Sequence, residues 1–417
     1  MPGPLCYNRW CRRWESNPHS RRNASLSRAR LPVPPLRRTA SIFKGNFKVK
    51  VTLAAGEGAC MNLGIIGLAA SGKTTLFNVL TGADLETGTL SATGRLDLHT
   101  AAVDVPDARL DALVPLFNPK KTTYTKIVYA DIGGLSISAG REGLPGPLVT
   151  ELDKLDGLLV VVRAFEDPNV PHPSEVVDVS ADVNALAAEF VLHDMVTVER
   201  RLARLAEERG KGGRDRGLID REIELFTRVS EVLNEQVPLR YAGLRAEERQ
   251  MLAGYGLLSL IPQLIVVNLG ENQSVSTPDL DGVKDPVLAL QGRLEMEIAQ
   301  LKPEEQDSFL EEYGLEQSGR LRIIQASYQL LGLITFFTGN DDELRAWTLP
   351  QGGTCLQAAD TIHSDLARGF IRAEVINWEE LVALEGLPQA RAAGKLRVEG
   401  KQGPVHDGDL VYIRFNV

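Results

Sequence analysis

One stretch limits the fold more than any other. Asn62-Leu63-Gly64-Ile65-Ile66 is a short apolar run ending in Gly67-Leu68-Ala69-Ala70-Ser71-Gly72-Lys73-Thr74, and Thr75-Leu76-Phe77-Asn78-Val79-Leu80 follows with Leu76, Val79 and Leu80 on one helical face. Strand, Gly-x4-Gly-Lys-Thr and helix is the phosphate-binding loop in its required context, so the chain must contain a parallel α/β sheet with this loop at a strand end. Gly67 and Gly72 permit backbone conformations barred to residues with a Cβ, so successive N–H groups can turn inward around a phosphate. The following helix adds partial positive charge at its N-terminus. Lys73 is expected to reach the β and γ phosphates and the Thr74 hydroxyl to ligate Mg²⁺, while Ala70, Ser71, Gly72 and Thr75 complete the wall around the nucleotide.

Two further strands end in candidate site residues. Lys126-Ile127-Val128-Tyr129-Ala130 runs into Asp131-Ile132-Gly133-Gly134. An acid at the end of a neighbouring strand can hold Mg²⁺, and Gly134 lets a backbone N–H approach the γ-phosphate, which would make the glycine-rich 140–146 stretch a nucleotide-sensitive loop. Leu135 stands where Ras-like enzymes carry the glutamine that orients water, and a leucine cannot do so; slow hydrolysis, or positioning of the water by other groups, is expected. Leu264-Ile265-Val266-Val267 ends in Asn268-Leu269-Gly270-Glu271. Guanine-binding proteins of this architecture have Asn-Lys-x-Asp there. With Leu269 and Glu271 in the Lys and Asp places, adenine is the better fit.

These motifs, with V-P-D-A-R-L-D at 105–111, V-V-R-A-F-E at 161–166, R-A-W-T-L-P-Q-G at 345–352, G-F-I-R-A at 369–373 and the final F-N-V, form a collinear set over residues 61–417. The set resembles the YchF-type, or Obg-like, ATPases. The resemblance implies a P-loop NTPase of GTPase ancestry with ATP preference, a helical coiled-coil insert, a C-terminal β-grasp domain of TGS type, and a translation-linked role at the ribosome in the cytoplasm. The chain departs from the family pattern in three places. Ala70 replaces an asparagine, Val160 a frequent histidine, and Ser91-Ala92-Thr93-Gly94-Arg95-Leu96 a switch whose threonine ligates Mg²⁺, with Thr93 or Arg95 in that place.

The expected organisation is residues 61–183 as the first part of the NTPase domain, 184–256 as the insert, 257–338 as the second NTPase part and 339–417 as the β-grasp domain. In the insert, Val191, Met195, Val198, Leu202 and Leu205 recur at helical spacing, as do Ile219, Ile223, Phe226 and Leu233. The joining segment, with Lys211, Arg214 and Arg216, offers a basic tip for rRNA or a ribosomal protein, against the alternative of a plain packing arm. In the tail, strands are expected at 345–349, 371–376 and 409–414, with a helix around 355–367. His363 is expected to be structural there, and Cys355 lacks any partner that would make it a nucleophile.

Charge separates the first sixty residues from the rest. They carry nine Arg and three Lys against two acids, a balance of +10, whereas the other 357 residues hold 34 basic and 53 acidic side chains, or −19. Three of the four cysteines also lie in this segment. A body with one cysteine has no disulfide framework. Residues 1–60 are expected to be a disordered or mis-called extension ahead of Met61, with an RNA-binding arm or an import peptide as alternatives; no apolar core for a secretory signal follows the charges. No run approaches the ~20 apolar residues of a membrane-spanning helix. An acidic body also argues against nonspecific nucleic-acid binding.

Overall fold

The computed structural model describes residues 61–86, 98–133, 143–168, 170, 172–211, 214–312 and 317–416. The extension 1–60, the 91–96 switch stretch, Gly134, Leu135, residues 140–142 of the 140–146 loop and residues 212–213 of the arm tip lie outside them.

The first sheet has six strands in the order β2-β4-β1-β5-β6-β7: β1 (Met61–Ile66), β2 (Leu98–Asp104), β4 (Lys126–Ile132), β5 (Gly157–Arg163), β6 (Gln263–Asn268) and β7 (Val287–Leu290). All neighbours are parallel except β2, which runs antiparallel to β4. The β5 and β6 strands are buried along their whole length, the signature of strands covered on both faces. One face packs with α1 (Lys73–Thr81) through Leu76, Phe77 and Leu80; the other packs with the base of the helical insert through Val183, Leu186 and Phe190. Val160 sits in this second core, so the histidine's place in the family pattern is here apolar packing.

The second sheet has the order β11-β10-β12-β8-β9-β3, from β3 (Lys121–Thr123), β8 (Leu333–Gly339), β9 (Glu343–Pro350), β10 (Phe370–Asn377), β11 (Arg397–Glu399) and β12 (Asp409–Phe415). The three tail strands read from the sequence lie inside β9, β10 and β12. Two details differ from the expected boundaries. Leu333–Gly339 belongs to this sheet, because its apolar side chains pack on both faces of it, so the sheet begins before residue 339. The strand β3 also comes from the first half of the chain and pairs parallel with β9. With it comes α2 (Ala108–Phe117), whose Leu110 and Leu113 are fully buried against Phe337, Leu344, Ile376 and Leu410.

The expected tail helix is two. Cys355–Ile362 opens on a capping box in which Thr354 and Gln357 exchange bonds, and Ser364–Arg368 is capped by His363, whose Nδ1 accepts from the Asp365 N–H at 3.1 Å. The extended backbone of His363 separates them. Cys355 is fully buried, and burial pushes its thiol up to about 11, which leaves it unreactive at neutral pH.

Between β5 and β6, α4 (Val179–Lys211) and α5 (Arg216–Asn234) form a helical hairpin; α3 (Gly146–Leu152) precedes them and α6 (Ala246–Leu252) follows. Its seam contains the periodic residues Val191, Val198, Leu205, Ile219, Phe226 and Leu233. Two of the tip cations are in ion pairs. Lys211 pairs with Glu207 at 3.1 Å, and Arg214 reaches Glu208 at 2.7 Å and Glu222 at 3.1 Å. Glu222 is the hub: it also accepts from Arg201 at 2.6 Å and from the Tyr255 hydroxyl at 2.7 Å. Glu222→Ala takes one partner from Arg201 and one from Arg214, which both keep Glu208, and removes the acceptor of the Tyr255 hydroxyl; it is expected to lower unfolding stability by about 2 kcal/mol. Urea denaturation beside Glu224→Ala, an exposed acid on the same helix, checks this; equal midpoints would show that the network contributes nothing.

Candidate nucleotide-binding site

The loop between β1 and α1 has the backbone its glycines predict. A Cβ on Gly67 would lie 2.2 Å from the Val161 carbonyl oxygen, and one on Gly72 would lie 2.1 Å from Nδ2 of Asn268. Gly72 caps α1 in a left-handed conformation (φ 100°) and no side chain caps the helix, so its first N–H groups face the concavity of the loop. Ala70 is also left-handed, at φ 60°. This is the place of the family's asparagine, a residue that tolerates such a backbone better than alanine does.

Lys73 and Thr74 begin α1 and point toward the end of β4. The Lys73 ammonium is buried and donates to the Leu68 carbonyl at 2.8 Å. Burial pushes it down to about 8, against the pull of the Asp131 carboxylate. The Thr74 hydroxyl donates to Asp131 Oδ2 at 2.8 Å. Burial raises the Asp131 carboxyl, while the Thr74 bond and the Lys73 charge lower it. Two buried oxygens beside these groups, Asp131 Oδ1 and Ser71 Oγ, have no hydrogen-bond partner among the described residues. Unsatisfied buried oxygens next to an ammonium and an uncapped helix end suit a ligand that brings its own charge. Thr75 lies on α1, its methyl near Gly292. Gly134 falls outside the described residues.

The base-side residues are brought to the same loop by β6. Asn268 is buried and both ends of its amide are engaged: Nδ2 donates to the Ser71 carbonyl at 3.1 Å, and Oδ1 accepts from the Gly292 N–H at 3.1 Å. It therefore ties the phosphate loop to the start of α7 (Gly292–Gln300), a role that a motif alone does not reveal. Leu269 donates its N–H to the Leu290 carbonyl at 2.8 Å and packs on the sheet core. Glu271 is half exposed and its carboxylate meets Arg293 at 3.1 Å.

Sequence reasoning missed three residues here. Gln291 donates to the Glu271 and Gln273 carbonyls at 3.0 and 2.6 Å, and Gln273 bridges the Gly270 N–H to the Ala164 carbonyl. Arg163, of the V-V-R motif, is 1% exposed and donates to the Phe165 and Val170 carbonyls, which shapes the adjoining loop. The available signal was the run Gln291-Gly292-Arg293 at a helix start directly after a strand; its distance in sequence from Glu271 hid the partnership.

The lowered Lys73 ammonium has a pH consequence. Below pH 8 the free site carries the charge that a phosphate needs; between 8 and the ordinary value of 10.5 it is lost in the free protein and restored by an anionic ligand. Nucleotide affinity is expected to fall as pH rises above 8, with uptake of up to about one proton per nucleotide bound. Calorimetry in buffers of different ionisation enthalpy measures this uptake, and none at pH 9 would contradict it.

A family model named YchF-GTPase_C, described as "Protein of unknown function (DUF933)", matches residues 333–416. A Bacillus subtilis (strain 168) protein named "Ribosome-binding ATPase YchF" is 37% identical over 369 residues, covering 86% of this chain and 100% of its own length. The Escherichia coli O157:H7 protein of the same name is 36% identical over 85% of this chain and 99% of its own. Among solved structures, that of the Schizosaccharomyces pombe YchF GTPase superposes with a TM-score of 0.73 at 26% identity, over 87% of this chain and 100% of that one. With the phosphate loop, the strand order and the second sheet all in place, the chain belongs to the YchF family of P-loop nucleotide hydrolases.

Proposed function

We propose that this chain is a nucleotide-operated switch of the cytosol that binds ATP with Mg²⁺, hydrolyses it slowly to ADP and phosphate, and docks on the ribosome. The observation that carries the nucleotide part is the cluster at the end of β4. An uncapped helix N-terminus, the Lys73 ammonium, the Thr74–Asp131 pair and two unpartnered buried oxygens converge on one loop. The Thr74 hydroxyl and Asp131 carboxylate are hard oxygen donors that suit Mg²⁺, which would neutralise charge on the β and γ phosphates. Among the described residues no three His, Cys, Asp or Glu side chains gather at metal-holding spacing, so nucleotide and water would complete the coordination.

In this reading Lys73 and the loop amides, with the Gly134 N–H, stabilise charge on the transferring phosphoryl group while water attacks. Leu135 supplies no hydrogen bond to that water, which is the reason for a low rate. Adenine selection rests on Asn268-Leu269-Gly270-Glu271 in place of the guanine-reading motif, with Ala70, Ser71, Gly72, Thr74 and Thr75 around the phosphates. The ribosome link is supported by the names of the bacterial relatives. The helical hairpin and the second sheet are the surfaces offered for it. Among the tip cations Lys211 and Arg214 are engaged in ion pairs, which favours contact along the arm over electrostatic capture of RNA by its tip.

A second reading, a nucleotide-gated binding module with negligible turnover, is favoured by Leu135, Val160 and the altered 91–96 stretch. Single-turnover hydrolysis with and without ribosomes separates the two: turnover above that of Lys73→Ala, by tenfold or more in at least one condition, is expected for the hydrolase. Equal rates in both conditions would leave only the binding module. The base preference is tested by thermal unfolding, where ATP at a given concentration should raise Tm and GTP should not. Equal protection would favour a GTPase, as the fission-yeast relative is titled.

A further inference from the structure

Base selection needs more than a displaced carboxylate. A carboxylate on the base-side loop accepts well from guanine, whose N1–H and amino group are donors. It faces a lone pair on adenine N1. Left unengaged, Glu271 would therefore favour the guanine nucleotide over the adenine one whenever it swung within reach.

In this structure the carboxylate is not unengaged. Nε of Arg293 lies 3.1 Å from Oε1 of Glu271, and 3.9 Å from Glu297 one turn along the same helix. Both partners are held from behind. Arg293 is the second residue of α7, whose first N–H is bonded to Oδ1 of Asn268. The loop carrying Glu271 is locked by Gln291, whose Nε2 lies 3.4, 3.0 and 2.6 Å from the carbonyls of Gly270, Glu271 and Gln273. Gln273 accepts from the Gly270 N–H at 2.6 Å and adds a tie to Ala164 at 2.9 Å. The side chains of the pair are 74% and 56% exposed, so its effect on stability is small; what it sets is the direction in which the carboxylate is engaged.

We propose that Arg293 is a base-specificity determinant: by holding the Glu271 carboxylate it removes the one acceptor on this loop suited to guanine, and leaves the site to an adenine nucleotide. The inference rests on the ATP reading above. Arg293 acts here through Glu271 and is a positioning residue.

The test is the ratio of GTP to ATP dissociation constants, measured by calorimetry on the full chain. Arg293→Ala should lower that ratio about three- to fivefold, the size expected for an exposed ion pair, with an unchanged melting temperature. Arg293→Lys should keep the wild-type ratio, because an ammonium still pairs with the carboxylate. Arg293→Ala combined with Glu271→Ala should restore the ratio, because the released acceptor is gone. A wild-type chain without ATP preference overturns the ATP reading and this inference together. A GTP/ATP ratio unchanged by Arg293→Ala overturns the inference alone, as does a double variant that stays at the single variant's ratio.

Discussion

The phosphate loop is pressed against two groups that it does not neighbour in sequence. Gly67 presses on the Val161 carbonyl of β5, and Gly72 presses on the Asn268 amide at the end of β6. No side chain fits at either point. Asn268 then converts contact into connection, bonding the Ser71 carbonyl on one side and the Gly292 N–H on the other. The place of Lys73 and Thr74 follows, because α1 starts where this loop ends. The start of α7 follows too, and with it Arg293 and its hold on Glu271.

A second dependence links the two sheets. The chain leaves the first sheet after β2, contributes α2 and β3 to the second core, and returns as β4 with Asp131 at its far end. Arg109 of α2 sits between Asp107 and Asp407, at 2.8 and 2.7 Å, over the ring of Phe337. Thr123 of β3 donates to Glu343 at 2.6 Å, and Lys120 pairs with Asp342 at 2.7 Å. The C-terminal core is thus not contiguous in sequence. Leu110 and Leu113 are as much part of it as Phe337 or Leu410.

Legibility followed the range of the physics. Strands β1, β4 and β6 and the two hairpin helices were readable because a buried strand and a periodic helix carry their pattern within six to thirty residues. The P-loop was readable because its glycines answer to local backbone geometry. The pairing of β3 was not: three residues, Lys121-Thr122-Thr123, carry no period, and their partner lies more than 200 residues later. The partners of the tip cations were hidden for a related reason. Lys211, Arg214 and Arg216 look like a patch in one dimension, but folding the hairpin brings Glu208 and Glu222 against Arg214, acids that the order of the chain does not place beside it.

Composition shows the same division. The sum of −9 resolves into +10 before Met61 and −19 after it, and that split needs no structure. Where the charges of the body meet does need one. By itself the sequence determined the parallel sheet, the phosphate loop and the chemistry its lysine, threonine and aspartate bring, since each rests on residues adjacent in the chain. Tertiary structure alone decided that Asn268 is a tie between loop and helix, that Glu271 faces Arg293, and that the first half of the chain helps build the last core. Those outcomes depend on which distant segments come within a few ångströms, and hydrogen bonds and close packing are decided at that range and not by order in the chain.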